Sequence, residues 1–378
     1  MAHASPVRTE RLQGPFADLK GRGARSNRDS RYAAAVHELD PDYLESCRVD
    51  ALETAAPVAA PAAPRTSITI EQARSIISRN QSPDIPFDRS INPYRGCEHG
   101  CVYCYARPTH AYLGLSPGLD FETRLFAKTN AAALLDAQLR KPGYRAAVLA
   151  LGANTDPYQP AEQRHGITRE VLQVLARFGH PVTITTKSAL VLRDLDILQS
   201  MARRNLVRVQ LSIGTLDRSI ARSLEPRANT PVRRLEAIAE LAQAGVPAGV
   251  IVAPLIPALT DPDLEAVLEA AAAAGARHAG YTVLRLPLEV RDLFVEWLRQ
   301  FAPLRAERVM SLVRQMRNGA DYQSQFHTRM DGTGVYARLL QQRFALACQR
   351  LRLDRERTVL DASRFAVPPA ESAQGALF

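Results

Sequence analysis

The run Ser90-Ile-Asn-Pro-Tyr-Arg-Gly-Cys97-Glu-His-Gly-Cys101-Val-Tyr-Cys104-Tyr-Ala-Arg107 holds three of the chain's five cysteines within eight residues. Thiols this close are strained as disulfides but well placed to converge on one metal centre. Gly96 and Gly100 supply the backbone freedom a loop needs to fold around such a centre. Two metal readings are open from the residues alone. A structural zinc site would take His99 as the fourth ligand of a Cys3His set, although no second Cys/His pair follows at the usual spacing. A ferredoxin-type cubane wants a fourth cysteine. Three thiolates on a four-iron cubane leave one iron open to an exogenous chelating ligand. Cys47 and Cys348 stand alone and read as ordinary small side chains. An odd count in a chain without a secretion signal argues against a disulfide framework.

The spacing C-x3-C-x2-C, with the aromatic Tyr103 directly before the last cysteine, resembles the signature of the radical S-adenosylmethionine (SAM) superfamily. The resemblance implies that Cys97, Cys101 and Cys104 ligate a [4Fe–4S] cluster whose free iron takes the amino and carboxylate groups of SAM. It also implies a low-potential electron donor of flavodoxin or ferredoxin type. Reductive cleavage of SAM would give methionine and a 5′-deoxyadenosyl radical, which abstracts hydrogen from a substrate carbon. The cofactors carry such chemistry, while the protein supplies ligation, orientation and exclusion of solvent. Tyr103 is expected beside the cluster and adenine.

Outward from this loop the chain alternates helical patterns with short apolar runs. Helices are predicted over 125–139, 167–178, 190–203, 233–244, 262–274 and 289–301. Strands are predicted over 146–151, 181–186, 207–212, 248–254 and 280–286. Strands of four to eight residues between helices of ten or more imply βαβ units and a parallel sheet. With a first strand ahead of Cys97, six β/α units result. The expected fold class is therefore α/β: a partial (β/α)6 radical SAM barrel at residues 67–302. An N-terminal extension (1–66) precedes it and a helical C-terminal extension (303–378) follows.

In β/α barrels the site is built where the strands end. The second strand ends at Asn154-Thr155-Asp156, the third at Thr186-Lys187, the fourth at Ser212 and the sixth near Arg285. Lys187 is the only lysine after Lys141, and a compact ammonium suits the SAM carboxylate. The resemblance extends over roughly residues 85–290 to spore photoproduct lyase and its uncharacterised bacterial relatives. It runs through Thr186-Lys187, Val209-Gln-Leu-Ser212-Ile213, Leu224-Glu-Pro-Arg-Ala-Asn-Thr-Pro231 and Gly249-Val-Ile-Val-Ala-Pro254. In that lyase, residues matching Thr155, Lys187 and Ser212 contact SAM. With Tyr103, Asn154, Asp156 and Arg285 they make up the candidate SAM contacts. Glu225 and Arg227 read either as the border of a substrate opening or as a structural pair. One departure matters. The lyase returns a hydrogen atom from a cysteine just after the second strand, and here that place is Ala153. The resemblance implies the fold and cofactors and leaves the substrate open. DNA photoproduct repair is one alternative, and a zinc-stabilised nucleic-acid-binding protein is the rival of another class.

The 378 residues carry a formal charge of +9, with 46% hydrophobic and 23% charged residues, an ordinary globular composition. The excess sits in the flanks. Residues 1–31 hold seven basic and three acidic side chains, and residues 305–357 hold eleven and five. Basic ends suit phosphates, so nucleic acid stays open as a substrate, although solvated surface accounts for them as well. Residues 51–66, with seven alanines and three prolines, have linker composition. The expectation is a mostly flexible 1–66, part of which folds back over the barrel mouth or does not, and a mobile tail beyond Val367. The polar loop 326–334 reads either as a cap on the substrate end or as ordinary surface. The longest uncharged run, 241–260, is interrupted by glycine and proline, and residues 1–11 lack an apolar signal core. No membrane and a cytoplasmic setting are expected.

Overall fold

The computed structural model describes residues 21–32, 65–353 and 359–369. Cys47, most of the Ala/Pro stretch and the tail from residue 370 lie outside the described residues. Ten strands are present among the described residues: β1 (Ser67–Ile70), β2 (Ile77–Arg79), β3 (Arg89–Ile91), β4 (Tyr94–Arg95), β5 (Arg124–Ala127), β6 (Leu149–Leu151), β7 (Val182–Thr186), β8 (Val207–Ser212), β9 (Ala248–Leu255) and β10 (His278–Val283). Seven of them form one sheet in the order β10-β9-β8-β7-β6-β3-β2. The six from β3 to β10 in that row pair in parallel, and β2 is antiparallel to β3. These are the six strands of the partial barrel. The parallel strands are apolar runs because helices cover them outside and side chains fill them inside. β9, for example, is buried along nearly all of its length.

Connecting helices bring their own start signals. The helix Pro231–Gln243 begins with Thr230, whose hydroxyl accepts from Arg233 N, and with proline at its first position. The helix Arg218–Leu224 is capped by Asp217, which accepts from Ser219 N and Ile220 N.

Three elements depart from the sequence reading. The helix expected over 125–139 is two elements, β5 followed by the helix Ala131–Leu139. Leu125 and Ala127 are buried while Arg124 is exposed, a period of two. The backbone of β5 pairs with β1 in parallel and β4 in antiparallel, forming a second, three-stranded sheet. The helix expected over 190–203 opens with a 3-10 segment, Ala189–Asp194, capped by Ser188, before its α-helical part Leu195–Ala202. The last strand ends at Val283, so Arg285 lies in the connection beyond the sheet.

Residues 21–32 dock along the helix Glu289–Phe301. Ser26 donates to Glu296, Arg28 pairs with Asp292 and Glu296, and Arg31 pairs with Glu289. At the other end, the helix Gly334–Leu351 packs on the helix Leu264–Ala273, with Arg343 holding Glu265. The two ends of the large sheet are linked across the barrel's open side. Asp84, on the β2–β3 connection, accepts two bonds from Arg329 at 2.7 and 2.6 Å and one from His327 N. Among the described residues, no helix is long and apolar enough to cross a membrane.

Candidate active site at the strand ends

The cysteine loop follows β4 and folds over itself through short backbone bonds. Gly100 N donates to Cys97 O, Cys104 N to Cys101 O, and Arg107 N to Cys104 O. Gly96 and Gly100 have φ of +76° and +68°. A Cβ on Gly96 would meet Leu125, Phe121 O and His110 within 2.9 Å, so both conformation and space require glycine there.

Beneath the loop lies a fully buried ion pair, Arg107 with Glu122. The guanidinium also donates to the carbonyls of Cys101 (2.9 Å), Gly100 (3.2 Å), Pro117 (3.1 Å) and Gly118 (2.8 Å). Glu122 in turn accepts from Gly23 N and Ala24 N. The docked segment 21–32 therefore passes directly over the loop, so close that a Cβ on Gly23 would lie 1.7 Å from Gly100 O.

Cys97 and Cys101 are buried and Cys104 is half-buried; none of the three is in a disulfide. Burial pushes all three thiols upward. For Cys97, Asp156 and the other two thiols add to the effect. Neutral thiols in such surroundings ionise when a metal takes them. Among the described residues, no group of three or more His, Cys, Asp or Glu converges to hold a single metal ion. His99 Nδ1 lies 3.3 Å from Asp156 Oδ2. Two buried thiols and one half-buried thiol, none of them bridged, thus lie along one loop as free sulfur donors.

The strand ends beside the loop carry a polar network. Asp156 Oδ1 accepts from the Thr186 hydroxyl (2.7 Å) and Tyr158 N (2.9 Å), and Oδ2 from Lys187 N (2.7 Å). Burial opposes ionisation of Asp156, but His99 and these donors outweigh it and hold the carboxyl down at about 2. Lys187 Nζ donates to Ser212 Oγ at 2.9 Å and sits 5.9 Å from the Tyr103 ring centroid. The Tyr103 hydroxyl donates to Glu225, which is paired with buried Arg234. Burial would raise Glu225, yet Arg234 and Lys187 bring it below the usual carboxylate range.

The sequence model of the radical SAM superfamily matches residues 91–271. An uncharacterised protein of Mycobacterium tuberculosis (strain ATCC 25618 / H37Rv) is 40% identical over 255 residues, covering 66% of this chain and 74% of the relative. The chain belongs to the radical SAM superfamily. An uncharacterised protein of Methanocaldococcus jannaschii is 27% identical over 171 residues, 45% of this chain and 61% of its own. Among solved structures, a tyrosine-to-phenylalanine mutant of spore photoproduct lyase aligns with a TM-score of 0.50 at 15% identity, covering 76% of this chain and 80% of that one. At that identity the likeness is one of fold. The protein is thus a radical SAM enzyme, and its family generally uses a [4Fe–4S] cluster and SAM.

In this radical SAM chain the structure brings Tyr103, Lys187 and Ser212 together beside the cysteine loop. Thr155 is buried in the wall, its hydroxyl donating to Tyr94 O, and Asn154 N donates to Asn92 Oδ1. Asp156 has both carboxylate oxygens engaged inside the protein and joins the second strand end to the third. Arg285, in the connection after β10, lies 5.0 Å over the ring of Tyr105, the residue after Cys104. Glu225 pairs with Arg234, and Arg227 lies 3.3 Å from Glu98 instead. Sequence reasoning missed Arg107, Glu122 and Tyr105. Only Tyr105, adjacent to Cys104, carried a local signal.

Proposed function

We propose that this radical SAM enzyme holds a [4Fe–4S] cluster on Cys97, Cys101 and Cys104, and SAM against Asn154, Thr155, Lys187 and Ser212. The observation that carries this reading is the pairing of two features. Three unbridged thiols, two buried and one half-buried, lie on a loop fixed from below by Arg107 and Glu122, and beside it stands a lysine with no carboxylate within ion-pair distance among the described residues. When bound, the cluster supplies the electron that cleaves SAM to methionine and a 5′-deoxyadenosyl radical. Lys187 is aimed by Ser212, whose hydroxyl is itself fixed on Ala253 O (3.1 Å), and takes the SAM carboxylate. Tyr103, oriented by Glu225, forms the wall beside the loop. Asp156 acts as a positioning residue, since its bonds set where Lys187 leaves β7. A low-potential donor of flavodoxin or ferredoxin type and a cytoplasmic setting with reduced thiols belong to the same reading.

The place that matches the lyase's hydrogen-returning cysteine is Ala153, and its carbonyl accepts from the Tyr105 hydroxyl. This favours a reaction other than photoproduct repair.

Anaerobic reconstitution should give about four iron and four sulfide per chain, and dithionite with SAM should release 5′-deoxyadenosine. Cys101→Ala should abolish both. A protein that binds iron and never cleaves SAM would sink the reading, and one zinc per chain without brown colour would favour the zinc-stabilised binding protein.

A further inference from the structure

After β10, three places from β7 and its Lys187 in the strand order, stands a second cation in a different condition from its neighbours. Arg329 is held bidentately by Asp84. Arg317, buried, donates to Leu284 O (3.0 Å) and Thr328 O (2.8 Å). Arg285 has neither kind of partner. Its Nη1 reaches only the Met330 sulfur at 3.7 Å, a weak acceptor, and its Nε is buried with no acceptor at all. Its guanidinium lies 5.0 Å over the ring of Tyr105, the exposed residue after Cys104. Among the described residues, no carboxylate lies within ion-pair distance of it. A half-buried guanidinium stacked on a ring and without a counter-charge keeps its donors open to an anionic ligand.

SAM brings a single carboxylate, and Lys187 accounts for it in the reading above, on which this step rests. A second unpaired cation at the same mouth therefore calls for a second anion. We propose that Arg285 is the anion-binding residue of the substrate pocket, and that the substrate presents an oxyanion, carboxylate or phosphate, to its planar fork above Tyr105. Five fixed donors suit either group bidentately. The Tyr105 ring covers one face of the guanidinium, so an oxyanion meets the fork along its open edge. Because Tyr105 follows Cys104, the anionic group is thereby anchored close to the cysteine loop.

The test is an anion titration of the reconstituted holoenzyme with SAM, followed by thermal midpoint. Inorganic phosphate and acetate are added at constant ionic strength, with chloride as the reference. Small anions at one strong site bind with dissociation constants of about 1–10 mM. For one of the two, Tm should rise above the chloride reference as the logarithm of one plus the anion concentration over its dissociation constant, by about 2–3 °C at twentyfold excess, and which one does so tells phosphate from carboxylate. Arg285→Gln should leave Tm at the chloride reference with both anions. Arg285→Lys, which keeps the charge and loses the fork, should keep the logarithmic rise with an affinity at least threefold weaker. The proposal is overturned if neither anion raises Tm above the reference in the wild type, or if R285Q responds as the wild type does. A tenfold loss of SAM affinity in R285Q would also overturn it, by making Arg285 a cofactor contact. These failures would leave cluster assembly and SAM cleavage intact, so they are separable from a failure of the reading beneath, which Cys101→Ala tests.

Discussion

The two rims of the barrel mouth are built on opposite electrostatic terms. On the cysteine-loop rim, two buried guanidiniums meet acids inside the protein: Arg107 with Glu122, Arg234 with Glu225. On the β10 rim, Arg317 is satisfied by carbonyls and Arg285 faces the mouth with no acid. The first rim is complete before any ligand arrives, so the loop proposed to receive a cluster is held in shape by the polypeptide. The second is finished only by what binds there. Preorganisation is placed where geometry must be fixed in advance, and an open valence where a ligand is to be selected.

The contrast is broken most severely by Arg107→Met. That change leaves Glu122 charged and buried without its partner, which should cost about 3–5 kcal/mol of stability. Iron retained after reconstitution should fall with it. Urea denaturation and iron per chain measure the two, and unchanged values in both would show that the loop holds its shape without the pair. Asp84→Asn acts on the link between the rims and should cost about 1–2 kcal/mol at neutral pH. The Arg329 hydrogen bond holds the Asp84 carboxyl below its ordinary value. Its contribution is therefore present above about pH 4, the unfolded carboxylate value, and is lost as pH falls through the lower folded value. The wild type should consequently lose more stability than D84N on acidification, and parallel acid limbs in the two proteins would contradict the pairing. The smallest effect is expected from Arg285→Gln, which removes a charge that lacks a partner. Stability should change by less than about 1 kcal/mol, in either direction. A loss as large as that of R107M would mean that Arg285 has a structural partner after all, and the contrast between the rims would disappear.

Much of this was legible in the sequence, for definable reasons. The cysteine loop is local, with ligand spacing, glycines and aromatic neighbour all within a dozen residues. The parallel strands are legible because burial on both faces demands continuous apolar runs. β5 was not, because Leu125-Phe126-Ala127 runs into an alanine-rich helix and only its pairing with distant β1 and β4 makes it a strand. Lys187 and Ser212 were found as strand-end residues, and their mutual hydrogen bond followed. Arg107 was invisible for a different reason. In a chain with so many arginines, composition cannot say which one is fully buried, and its five acceptors come from carbonyls and one glutamate that no side-chain pattern records. Glu225 was read beside Arg227, two residues away, whereas the turn into the helix Pro231–Gln243 delivers Arg234, nine residues on, to it.

The bond between Asp84 and Arg329 joins residues 245 positions apart. A link that closes so long a stretch of chain is formed only after nearly everything between has folded, because the entropy of closure must be met before the contact contributes. The open side of the barrel is therefore expected to zip last in folding and to unzip first in partial unfolding. Opening there frees the segment that carries Met330 while the sheet from β6 to β9 stays intact. The last contact made in assembly and the first released in partial opening would then be one seam.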